Sequence, residues 1–124
     1  MSVQIKIDEN LHRVWLTALP EPQTATVAET VLRLTRQRPI LGNWDWIIDT
    51  RNPHAQATPD EIDEIATAFN TVKSEQSYTI FVSTDPATYD RCAVMGRKFL
   101  GRRHLVARSP GDALGLLPHS MHSI

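Results

Sequence analysis

Residues 44–50 read WDWIIDT, an aromatic and β-branched run of the kind a pleated, buried strand favours. Ile47-Ile48 closes on Asp49, and a loop follows from Arg51 through Asn52, Pro53 and His54. Thr58-Pro59 then opens a segment with Ile62, Ile65, Ala66, Phe69 and Val72 on one stripe. Asp60, Asp63 and Glu64 point away from that stripe, so a helix is predicted over 58–73. Threonine can cap such a helix, and proline suits its first position, where the missing N–H has no intrahelical acceptor.

The same grammar occurs twice more. Residues 78–83 (YTIFVS) lead to Asp85-Pro86 and a predicted helix over 86–100, which offers Tyr89, Cys92, Ala93, Gly96, Phe99 and Leu100. Residues 104–107 (HLVA) lead to Ser109-Pro110 and a short helix over 110–117 with Ala113, Leu114 and Leu117. Asp112, three residues after Ser109, adds negative charge where the helix dipole favours it. Strands that alternate with helices imply right-handed parallel crossovers.

Working back toward the start, residues 3–8 alternate apolar and polar side chains, and so do residues 11–18. Glu9-Asn10 between them reads as a tight turn, which gives an antiparallel hairpin. A helix over 24–38 follows, with Val27, Val31, Leu32 and Leu34 at helical spacing. Thr26 and Glu29 have capping-box spacing, Thr24 is the alternative cap, and Pro39 stops the helix. The expected fold is α/β: a mixed five-stranded sheet, antiparallel hairpin first and parallel strands after it, with four helices. It forms one domain over 1–118, and residues 119–124 are expected as a flexible tail.

Composition narrows the function classes. A chain of 124 residues is one domain's worth, large enough to bury a core without a metal or disulfide staple. Thirteen Lys+Arg against fourteen Asp+Glu leave a net charge of -1, against a dedicated nucleic-acid binder. The single cysteine, Cys92, cannot form an internal disulfide, and no charged-then-apolar leader opens the chain. No stretch approaches the ~18 apolar residues of a membrane span. A cytoplasmic protein is expected. The five glycines are dispersed, so there is no phosphate-cradling loop. His119 and His122 lie in the polar tail without a third metal ligand. No nucleophile–base pair is evident, so the expectation is a non-enzyme with no cofactor and no metal.

The buried strand closing on Asp49, the capped helix start at Thr58 and the C-terminal run from Ser109 to Leu114 carry a family resemblance. Together with the order of elements, they make the chain similar to the STAS family (sulfate transporter and anti-sigma-factor antagonist), especially its SpoIIAA-like branch. The resemblance spans residues 3–117 and implies a regulatory module that binds a protein partner, a kinase or sigma-factor regulator. In that family a serine or threonine at the helix start after the Asp-ended strand is phosphorylated, and Thr58 falls at that place. A helix N-terminus can hold a phosphate. This chain departs from the family pattern at Ala57, where an aspartate is usual, and at Pro59, which removes one N–H donor.

Other constellations each have two readings. Arg51 and His54 lie beyond the carboxyl end of a central strand, where open α/β sheets bind ligands, so a small-molecule or lipid site is the alternative to a solvated turn. Trp44 and Trp46, two apart, face one side of the sheet, with Trp15 able to join them. Such rings form either a core layer or a pocket or face covered by a second subunit, as in a homodimer. Asp60, Asp63 and Glu64 form an acidic face, and Arg91, Arg97, Lys98, Arg102 and Arg103 a basic segment. These are solvated faces or a surface that steers a protein partner.

Overall fold

A computed structural model of the chain describes residues 3–18, 27–50, 60, 67, 77–86, 89–90, 93 and 102–117. Five strands form one mixed sheet in chain order: β1 (Val3–Asp8), β2 (Arg13–Ala18), β3 (Asp45–Asp49), β4 (Ser77–Val82) and β5 (Arg102–Ala107). β1 and β2 pair antiparallel, from Val3 opposite Ala18 to Asp8 opposite Arg13. Every later pairing is parallel. The mixed sheet expected from the sequence is therefore present.

The hairpin turn differs from the expected one. Instead of two residues it takes four, 9–12, so β2 starts at Arg13 and leaves Leu11 exposed. The cause lies in Asp8, whose carboxylate accepts the Asn10 and Leu11 amide N–H groups, each at 3.0 Å. Those amides are thus satisfied without a tighter turn. No glycine is present to take the positive φ that ends the loop, and His12 adopts it at 52°.

Two helices are bounded among the described residues, α1 (Val27–Gln37) and α2 (Pro110–Leu116). A 3-10 turn (Pro39–Asn43) lies between α1 and β3. The expected set of four helices is not shown, because 58–73 and 86–100 fall largely outside the described residues. Asp60, Thr67, Pro86, Tyr89, Asp90 and Ala93 within them are helical. The proposed caps Thr24 and Thr26 and the tail over 119–124 also fall outside. Pro39 ends α1 as anticipated, and the chain turns directly into the 3-10 segment.

Pairing register divides the sheet into two faces. On the first, Val14, Leu16, Trp46, Ile48 and Phe81 pack with Val27, Val31 and Leu34 of α1. On the second, Ile47, Ile80, Val82 and Ala107 pack with Ala113 and Leu117. β3 is buried on both sides, which is why Trp46, Ile47 and Ile48 run apolar without alternation between Asp45 and Asp49. Trp15 aligns with Ile47 and packs on the second face, so it does not join Trp46. No helix among the described residues is long and apolar enough to cross a membrane.

α2 is fixed at its start. Ser109 accepts the Asp112 amide N–H through Oγ at 3.1 Å, and Pro110 occupies the first turn. Ser109→Ala should cost roughly 1 kcal/mol in a urea denaturation series, and Ser109→Gly only a few tenths, because glycine tolerates the cap conformation. Equal losses for the two variants would show that the hydroxyl does not act as the cap.

Candidate functional site

The carboxyl ends of β3, β4 and β5 form one rim, and hydrogen bonds continue the sheet past the strands. The Thr50 N–H donates to Val82 O at 2.9 Å, its hydroxyl donates to the same oxygen at 3.1 Å, and the Ser83 N–H donates to Ala107 O at 2.9 Å. Beyond β4, the Ser83 hydroxyl oxygen accepts the Asp85 N–H at 3.1 Å and bends the chain into helical Pro86. Beyond β5, Arg108 precedes the Ser109 cap. This rim holds its shape because its backbone groups are satisfied by neighbouring strands.

Between the exits from β4 and β5 lies an open cleft of about 530 Å³, lined by Thr84, Pro86, Tyr89, Asp90 and Arg108. Its volume is within the usual range for small-molecule sites, and its position is where open α/β sheets bind ligands. The sequence pattern put Tyr89 and Ala93 on an apolar stripe. Instead Tyr89 is 41% exposed and Ala93 is exposed too. Tyr89 thus presents its ring to the cleft rather than to the core. The carboxyl-end rule was applied in the sequence only to the loop after β3. The signal for this second place was the Thr-Asp-Pro exit at 84–86 and the lone Arg108 after an apolar strand end.

Of the residues singled out from the sequence, Arg51, His54, Thr58, Asp63 and Glu64 lie outside the described residues. Asp60 is helical and exposed. Asp49 is buried at the end of β3, as the reading of residues 44–50 requires. Trp44 and Trp46 both lie in the chain's own core. Trp46 is fully buried, and its indole N–H donates to Leu41 O at 2.7 Å. Trp44 precedes β3, is 7% exposed, and stacks on the His12 ring with centroids 4.8 Å apart and planes 10° apart.

The opposite, amino-end edge is closed by side chains. The Arg38 guanidinium lies over the Trp44 ring, 5.5 Å from its centre, and donates to Glu9 at 2.8 Å. That hydrogen bond holds the Glu9 carboxyl below the usual carboxylate range and Arg38 above its usual value. The clasp is therefore present at neutral pH and opens only once acidification passes Glu9's lowered pKa. It ties the hairpin turn to the segment after α1. Alongside it on the second face, Asp8, Arg13, Asp45, Tyr78 and Arg103 occupy one row across the sheet. Asp45 accepts the Tyr78 N–H at 2.9 Å, and Arg103 lies over the Tyr78 ring at 5.9 Å.

Comparison with family models, with curated proteins and with solved structures found no match to this chain.

Proposed function

We propose that this chain is a non-enzymatic regulatory module that binds a protein partner through residues 51–64, in the manner of the STAS-domain anti-sigma-factor antagonists it resembles. The observation that carries this reading is the sheet itself. An antiparallel hairpin leads into parallel strands, and the buried β3 ends on Asp49 and passes the chain into the 51–64 segment. Asp60, helical and exposed, offers its carboxylate to solvent on that segment. In this reading Arg51 and His54 would supply polar contacts to the partner, Asp63 and Glu64 would add their charge to that of Asp60, and Thr58 is the hydroxyl on which a phosphate would act. The partner class is a kinase or sigma-factor regulator.

The test compares wild type, Thr58→Ala and Thr58→Glu as baits, with captured proteins identified by mass spectrometry. A partner held by wild type and Thr58→Ala but lost by Thr58→Glu is the expected result. Identical partner sets for all three would remove the switch.

A second reading is a small-molecule or lipid-binding domain with its site at the carboxyl ends of the strands. The cleft between the β4 and β5 exits favours it.

A further inference from the structure

That cleft has a geometric origin. The step from β2 to β3 passes through α1, which packs on the first face of the sheet. The step from β4 to β5 also joins adjacent parallel strands, and the chain leaves β4 through helical Pro86. α2, following β5, packs on the second face. The Thr84–Arg108 cleft lies between these two neighbouring exits, outside the carboxyl ends of the strands.

Its lining narrows the ligand. Arg108 and Asp90 carry opposite charges in one cleft, and among the described residues neither is hydrogen-bonded or ion-paired to the other or to any other side chain. Among the described residues, then, these two charges are not paired within the cleft. A guanidinium offers a fork of N–H donors to a carboxylate, and a carboxylate accepts from an ammonium. A purely anionic ligand would meet Asp90, and a purely cationic one would meet Arg108. In the same lining, Tyr89 and Pro86 supply apolar surface on which a side group can lie, and the Thr84 hydroxyl is a further donor or acceptor.

From these observations we infer that the cleft binds a small zwitterion of the amino-acid type, its carboxylate on Arg108, its ammonium on Asp90 and its apolar side group against Tyr89. The inference rests on the second functional reading.

Titration of the ¹⁵N-labelled chain with L-phenylalanine, L-leucine and L-proline, followed by amide chemical shifts, tests it. 3-Phenylpropionate and 2-phenylethylamine serve as single-charge controls. At least one amino acid should shift the Thr84, Tyr89, Asp90 and Arg108 amides. L-Phenylalanine should bind roughly tenfold tighter than either control, since each control forfeits one charge-assisted contact. Arg108→Ala should erase the advantage over 2-phenylethylamine, and Asp90→Asn the advantage over 3-phenylpropionate. Both positions are exposed, so the amides of buried Ile47 and Ile80 should stay in place and report an intact fold. Binding in the cleft by a single-charge control as tightly as by L-phenylalanine would overturn the zwitterion while keeping a small-molecule site. Absence of any cleft shift with every probe at millimolar concentration would overturn both the inference and the reading beneath it.

Discussion

Trp46→Ala is expected to lower stability by about 3–5 kcal/mol, the range for emptying a large aromatic site in a packed core. Trp46 is fully buried among Val14, Leu16, Leu41 and Ile48, and its ring lies between the sheet and α1. The substitution also removes the indole donor to Leu41 O, which keeps the Trp44 amide N–H at 3.1 Å, so a hydrogen bond is lost with no carbonyl left unpaired. Domains of this size have only ~5–15 kcal/mol to lose, so the variant should melt roughly 10–25 °C lower or fail to accumulate folded. Trp46→Phe keeps one six-membered ring and loses the donor and the rest of the indole, at a cost of about 1–2 kcal/mol. Thermal melting by circular dichroism together with urea denaturation reads both. A loss under ~1 kcal/mol for Trp46→Ala would mean that the ring does not fill the space between α1 and the sheet.

Arg13→Met should act in the opposite direction and raise stability by about 1–3 kcal/mol. Arg13 is 4% exposed, and its Nε and Nη2 donors find no acceptor among the described residues. Its neighbours across the sheet are Asp8 and Asp45, the two groups from which a partner would come. The Asp8 carboxylate is instead turned to the hairpin amides, and Asp45 accepts from Tyr78. Buried donors left unmade cost more than a formed hydrogen bond returns, whereas methionine keeps the unbranched stem and removes the charge. Urea denaturation in a buffer of low ionic strength, without phosphate or sulfate, is the measurement. A fall in stability exceeding ~1 kcal/mol would show that the guanidinium is paired in solution and that its burial is useful to the fold.

How far the sequence reached can be judged at particular residues. Residues 44–50 were legible because a strand buried on both faces favours a continuous apolar centre, here Trp46-Ile47-Ile48, and Ile47 and Ile48 do pack on opposite sides. The Val27, Val31 and Leu34 stripe of α1 was legible from helical spacing, and Ser109 from cap chemistry. The hairpin turn was misjudged by two residues. Its length was set by a side chain, Asp8, folding back onto amides downstream of it, and hydropathy alternation does not record that. Tyr89 was misplaced for a related reason. Helical periodicity says which residues share a stripe, but which way that stripe faces depends on what packs against it.

The candidate site divides along the same line. The rule that ligands gather at the carboxyl ends of strands could be applied to residues 51–58 from the sequence. The cleft of Thr84, Tyr89, Asp90 and Arg108 required knowing that β4 and β5 are neighbours. Nothing local in the chain brings residues 84–90 beside residue 108.

By itself the sequence determined the five strands, α1 and α2 and their order, because strand and helix formation depend on the spacing of apolar side chains over a few residues and on caps within one turn. Only the tertiary structure decided which residues meet across the sheet. It put Trp15 on the far face from Trp46 and left two Arg13 donors without an acceptor between two occupied carboxylates. It also opened a cleft between two strands well separated in the chain, where Val82 lies opposite Ala107. Closing the loop between such strands has an entropy cost that only packing can offset. Contacts of that kind are set by pairing register and by which face each helix covers, and neither is a property of any short stretch of chain.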